Sequence, residues 1–158
     1  MGKISPHHTR GGFCYFPGTW GIMKKEITME TQMPIKNVLL IEDEPLLGTL
    51  LKQRLEKEGF KVFLARDGDE GLQYLKNNTL DLVLLDIILP KISGFELLEK
   101  VQSDPQIQKV PIVIISNLGQ ETDLEKGQSL GAVGYFVKAR ISMEELVDHI
   151  KEFLLSNQ

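Results

Sequence analysis

Apolar residues follow two rhythms along this chain. From residue 36 onward, short runs that are apolar almost throughout alternate with longer stretches whose apolar residues return at helical spacing. The runs cover residues 37–41, 60–65, 80–86, 110–115 and 133–137. Between the first two, Leu46, Leu47, Leu50, Leu51 and Leu55 share one helical face. Later stretches carry Leu72 and Leu75, then Phe95, Leu97, Leu98 and Val101, then Leu124 and Leu130. The last has Met143, Leu146, Val147, Ile150, Phe153 and Leu154. Gly59 is placed as the residue that closes the first helix. Asp67-Gly68 turns into the second, and Ser142 with Glu145 makes a capping box for the last.

Five runs alternating with five helical stretches imply right-handed crossovers and a parallel sheet covered by helices on both sides. The runs at 37–41, 82–85 and 110–115 have the near-continuous apolar character of strands buried on both faces. Such sheets bind ligands beyond the carboxyl ends of their strands, where the strand order reverses. In the order 2-1-3-4-5 that point lies between the first and third strands. Four of the runs end in polar residues suited to phosphoryl chemistry: Glu42-Asp43-Glu44, Asp86, Ser116 and Lys138. If the strands are parallel neighbours, these groups meet along one edge.

Composition narrows the class. At 158 residues the chain has room for one domain of common size and an appendage. No stretch approaches the roughly 18–20 uninterrupted apolar residues of a membrane span. The formal charge is −4, of which residues 1–34 contribute +2 and the rest −6, so the body has no general attraction for nucleic acid. Cys14 is the only cysteine, which excludes an intrachain disulfide and fits a reducing, cytoplasmic setting. Residues 13–23 are broken by Pro17, Gly18 and Gly21 and make a poor signal-peptide core. Residues 1–34 show neither period and are expected to be a flexible extension of unknown role, with Met23, Met29 and Met33 as alternative starts. Phe13, Tyr15, Phe16 and Trp20 leave room for a docking tail there.

Carboxylates packed together repel unless protonated or bridged by a cation. Hard oxygen ligands at an open strand edge favour Mg2+, which keeps several waters and accepts a phosphate oxygen. A carboxylate can also attack a phosphoryl group to form an aspartyl phosphate, with Mg2+ neutralising charge as the anions meet. Each residue also has an ordinary reading. Glu44 complements a helix dipole beside Pro45 at the first helical position, and Asp86 or Ser116 alone would pass for a cap. Lys138 would pass for a solvated strand end, and Tyr135 for a half-buried strand tyrosine.

The segments Val38-Leu39-Leu40-Ile41-Glu42-Asp43-Glu44-Pro45, Asp86 through Pro90 to Gly94, Val113 to Asn117, and Gly131 to Lys138 stand in the right order, each at a strand end. In this, residues 36–156 resemble the receiver domain of two-component response regulators, of the single-domain chemotaxis or phosphorelay kind. The resemblance implies an α/β, flavodoxin-like fold with a five-stranded parallel sheet in the order 2-1-3-4-5 and five helices on both faces. It divides the chain into the extension at 1–34 and a receiver domain at 35–158.

It further implies a phospho-accepting switch rather than a turnover enzyme. Asp86 is the phosphoacceptor, assisted by Ser116 and Lys138. Asp43 and Asp86 bind Mg2+ directly, Ile88 lends its backbone carbonyl, and Glu42 acts directly or through water. Ser116 moves toward the phosphoryl oxygen and Tyr135 swings inward with it. The phospho-donor is a sensor histidine kinase or histidine phosphotransfer protein, because His7 and His8 lie in the extension and His149 on the polar side of the last helix. Output then runs through the fourth helix, fifth strand and fifth helix, a face also open to a homodimer, to a downstream protein that the sequence does not name. Only Ser156-Asn157-Gln158 follow the last helix, so no attached output domain is expected.

Two departures from the family stand out. Glu42 replaces the more usual aspartate. Ala139 replaces the proline that normally follows the lysine through a cis bond; without proline that bond costs roughly 3–4 kcal/mol. The peptide is then either trans in a reshaped loop or cis under strain. Ile88 and Leu118 flank the site with apolar side chains that cannot position an attacking water, which predicts a long-lived phosphorylated form. Three alternatives remain open on the sequence. A flavodoxin-like nucleotide or flavin binder would have to place a phosphate against the repelling Glu42-Asp43-Glu44. A Mg2+-dependent aspartyl-phosphate phosphatase would need a second aspartate where Ile88 stands. A pseudo-receiver would switch without phosphate.

Overall fold

A computed structural model describes residues 34–157; the extension expected at 1–34 lies, but for Pro34, outside them. Strands β1 (Asn37–Ile41), β2 (Lys61–Ala65), β3 (Leu82–Leu85), β4 (Ile112–Ser116) and β5 (Gly134–Val137) form one parallel sheet in the order β2-β1-β3-β4-β5. The helices are α1 (Pro45–Lys57), α2 (Gly68–Asn77), α3 (Gly94–Ser103), α4 (Glu121–Ser129) and α5 (Met143–Ser156). The doubly wound α/β architecture is the one that the alternation of periods implies. None of these helices is long and apolar enough to cross a membrane.

Local signals set the helix ends. Pro45 occupies the first turn of α1, and Gly59 follows that helix at φ +94°, a left-handed conformation that glycine adopts without Cβ strain. Ser142 and Glu145 form the reciprocal capping box of α5, and Ser93 with Glu96 forms another at α3. Strand β4 begins later than the hydropathy suggests because Pro111 has no N–H to offer the ladder, and it extends through Ser116, which pairs with Val137. Asp81 stays at the opposite edge, where its carboxylate accepts the Asn37 amide.

Side chains alternate across a strand, so the sheet separates two cores. Leu39, Ile41, Val83, Leu85, Ile112 and Ile114 pack with Leu75 of α2 and Leu97, Leu98 and Val101 of α3. Val38, Leu40, Leu82, Leu84, Val113 and Ile115 pack with Leu51 and Leu55 of α1 and Leu146, Val147, Ile150 and Leu154 of α5. Helix α4 is different: its one buried residue is Gly127, whose backbone lies against Ile114 and the ring of Tyr135.

Gly94 opens α3 directly over the chain that leaves β3. A Cβ at residue 94 would stand 2.5 Å from the Asp86 carbonyl oxygen and 2.7 Å from the Ile87 Cα, and backbone atoms cannot yield as a flexible side chain does. Gly94→Ala is expected to lower unfolding free energy by about 1–3 kcal/mol, the usual range for overpacking. Urea denaturation measures it; an unchanged midpoint would show that the loop has slack.

Candidate functional site

The sheet register brings the polar strand ends together. Ile41 lies beside Leu85 and Leu85 beside Ile114, so the residues that follow β1 and β3, Glu42 and Asp86, emerge side by side. The ladder continues past the strands, with the Asp86 amide donating to the Ile41 carbonyl at 3.0 Å. On the other side of β3, Ser116 pairs with Val137, which delivers Lys138 just beyond the sheet. Alternation then sorts the groups. Glu42, Asp86 and Lys138 follow the parity of the α1/α5 core, while Ser116 and Tyr135 follow that of the α2/α3 core.

Three carboxylates, Glu42, Asp43 and Asp86, offer oxygen atoms that all lie within 4.8 Å of one another. Glu42 and Asp86 are buried, at 2% and 6% exposed, and Asp43 is exposed. The Lys138 ammonium donates to both buried acids, at 2.7 Å to Glu42 Oε2 and 2.7 Å to Asp86 Oδ2. Three carboxylates and one ammonium leave two uncompensated negative charges, the complement of a divalent cation in an all-oxygen donor set. The Asp86 Oδ1 accepts the Ile88 amide at 3.2 Å, so both carboxylate oxygens are held in orientation. Ile88 itself is 57% exposed at the mouth of the site.

Burial pushes the Glu42 carboxyl up, and the charge of Asp86 adds to that; the hydrogen bond from Lys138 only partly opposes them. For Lys138, burial alone acts downward, but the hydrogen bonds to Asp86 and Glu42 outweigh it and hold the ammonium charged beyond its usual range. The bond between Lys138 and Glu42 was not foreseen. Its one sequence signal is the methylene by which Glu42 exceeds the usual aspartate.

Two further expectations are refined. The Ser116 hydroxyl is fully buried and accepts the Leu118 amide at 3.3 Å, as a strand-end serine does in an ST turn, so it already has the cap-like partner of its ordinary reading. Tyr135 is already turned toward the loop after β4, donating from its hydroxyl to the Leu118 carbonyl at 2.8 Å. Its phenol is pushed up by burial and by the Asp123 charge, against the pull of the Ser116 hydroxyl beside it. After Lys138 the chain is trans: residues Lys138–Arg140 form one 3-10 turn, and no cis peptide occurs among the described residues. The reshaped loop is the alternative that Ala139 adopts.

A doubly wound parallel sheet with an acidic cluster and a lysine at its topological switch point marks a class of α/β domains suited to cation and phosphoryl chemistry. Comparison with known proteins places the chain within it: the response regulator receiver domain family matches residues 38–151, and the chain belongs to that family. The gliding motility regulatory protein of Myxococcus xanthus is 32% identical over 81% of this chain, which spans 16% of that relative's length. The phosphate regulon transcriptional regulatory protein PhoB of Rhizobium meliloti is 35% identical over 76% of this chain and 52% of its own. The chain thus spans about half or less of the length of these curated relatives. A CheY-like receiver domain protein from Methanospirillum hungatei superposes with a TM-score of 0.69 at 30% identity, covering 77% of this chain and 95% of the other. The phosphorylated cyanobacterial phytochrome response regulator RcpA gives 0.69 at 31% identity, covering 78% and 96%.

The ion pairs yield a pH-dependent prediction for the metal-free protein. A raised Glu42 pKa means the folded state binds that proton more tightly than the unfolded chain. Its contribution favours folding below about pH 4.5 and is lost as pH rises from 4.5 through the folded value. Lys138→Met leaves two buried acids without their cation and should lower stability at neutral pH by about 3 kcal/mol. The deficit should shrink toward pH 4.5 as Glu42 takes up its proton. Denaturation with a chelator across that range measures it; a deficit independent of pH would contradict the assignment.

Proposed function

We propose that this receiver domain is a phosphorylation switch in which Asp86 accepts a phosphoryl group from a partner's phosphohistidine. The observation that carries the reading is the acidic cluster of Glu42, Asp43 and Asp86 around one ammonium, two negative charges short of neutral. Asp43, Asp86 and the Ile88 carbonyl would hold Mg2+, with Glu42 binding directly or through water. When bound, the cation supplies charge neutralisation between the carboxylate and the incoming phosphoryl group.

The chain's own residues do the rest. The Ile88 amide and Lys138 fix the Asp86 carboxylate in orientation. One of its oxygens forms the P–O bond while the donor's P–N bond breaks, its electron pair returning to the imidazole. Lys138 then pairs with the phosphoryl oxygens, and its second bond, to Glu42, keeps the ammonium in place as its partner changes. The Ser116 hydroxyl, which accepts from the Leu118 amide, turns to donate to a phosphoryl oxygen and gives up that amide. Because Tyr135 holds the carbonyl of that same Leu118, the exchange is felt at once by the tyrosine and by α4 packed on it. The face of α4, β5 and α5 is the output surface, toward a protein target or a second copy of the chain.

The donor's docking surface is read from exposed apolar residues beside the acids. Leu46 is 68% exposed and Leu50 42% exposed, one turn apart on α1, the helix that follows Glu42-Asp43-Glu44, and Ile88 is exposed two residues after Asp86. An isolated exposed leucine is ordinary, but exposed apolar residues on the segments that follow both acid-bearing strands suit a helical partner that presents a histidine.

Intact-mass measurement after acetyl phosphate or beryllofluoride with Mg2+ tests the switch: an adduct is expected on the wild type and none on Asp86→Ala. The adduct should decay slowly after the donor is removed, since neither Ile88 nor Leu118 can align a water. No adduct on the wild type would sink the reading. In phosphotransfer profiling against purified histidine kinases, Leu46→Glu with Leu50→Glu should slow transfer about tenfold or more, the scale of one lost leucine burial. Labelling by acetyl phosphate should be unaffected, and equal loss from both donors would remove the docking assignment.

A further inference from the structure

The loop that carries Asp86 and Ile88 is restrained from a distance. Lys91, in that loop, adopts φ +70°, the one positive φ at a non-glycine residue among those described. Glycine or asparagine suits such a position better than lysine. The Lys91 ammonium reaches the Asp67 Oδ2 at 2.8 Å, outside the acidic site and across to the start of α2. The other oxygen of Asp67 accepts the Glu70 amide at 2.9 Å and caps α2, while Glu70 turns back to accept the Arg66 amide at 2.7 Å. One carboxylate therefore holds a helix end with one oxygen and a loop with the other.

The contact is reinforced beside it. Ile92 packs its side chain onto Gly68, where a Cβ would have no space, and the Ile92 amide closes a tight turn onto the Pro90 carbonyl at 2.9 Å. Gly94 anchors the far end through its amide on the Ile87 carbonyl at 2.8 Å. Capping alone does not call for a charge at residue 67, since asparagine caps as well as aspartate. What lysine at 91 and aspartate at 67 supply together, beyond their separate local roles, is each other.

We propose that Asp67 and Lys91 are positioning residues: as a pair they tether residues 86–92 to the start of α2 and so set the direction of the Asp86 carboxylate and the Ile88 backbone. The consequence for Mg2+ rests on the reading of the acidic site given above. The consequence for the loop itself does not. Because the Lys91 side chain is 59% exposed, the restraint is modest and screened by salt.

Two variants separate the tether from its surroundings. Asp67→Asn keeps the α2 cap and removes the charge; Lys91→Asn tolerates the positive φ and removes the ammonium. In metal-free protein, amide hydrogen exchange at Ile88 and Ile92 should quicken in each variant, and the double variant should be no worse than either single one. By titration calorimetry, Mg2+ should bind about two- to fivefold more weakly, the range expected of an exposed pair, and the gap to wild type should close at about 1 M salt. A merely structural role would lower thermal stability and leave the Mg2+ affinity unmoved, and that result overturns the tether. If the wild type binds no Mg2+, the metal reading fails by itself. Exchange then decides: unchanged protection at 88 and 92 refutes the tether, and selective loss there upholds it.

Discussion

The Lys138 ammonium, shared between two buried carboxylates, is the contact on which the site depends. Glu42 leaves β1 and Asp86 leaves β3, and neither could remain ionised beside the other without a cation between them. Lys138 comes from β5, beyond β4, so the pairing also ties the middle of the sheet to its edge. One positive charge against three negative ones leaves the cluster in deficit. That deficit ties fold stability to the same few atoms that are proposed to bind the cation and accept the phosphoryl group.

Much of this was legible in the sequence, for definite reasons. A parallel strand buried on both faces leaves a continuous apolar run, and a helix on a sheet leaves a stripe, so five of each gave the architecture. Gly59, Pro45 and the Ser142–Glu145 pair marked helix ends by local chemistry alone. Asp43 and Asp86 could be brought together because strand order fixes which carboxyl ends are neighbours.

The remainder depended on distances that periodicity does not encode. Nothing in the run at 110–115 signals that Pro111 delays the ladder while Ser116 extends it, because that is decided by pairing with β5. Nothing near Glu42 indicates that its longer side chain reaches Lys138, 96 residues away in the chain. The Asp67–Lys91 pair joins two loops that each look like ordinary turns. Ala139 marked a departure, but only the folded chain resolves it, as a 3-10 turn. Patterns along a chain state which face a residue takes; which strand-end groups touch is a property of the assembled edge.

The alternation of side chains has one more consequence. Between its two cores the sheet is a wall lined on both faces by close-packed aliphatic residues. The acids and their lysine belong to one side of that wall; the serine, the tyrosine and the thinly anchored α4 belong to the other. If Asp86 accepts a phosphoryl group as proposed, its effect on the other side would have to climb over the rim, through the few residues that stand on top of β3 and β4. A crossing so narrow could be cut at a single residue while the masonry beneath keeps its packing.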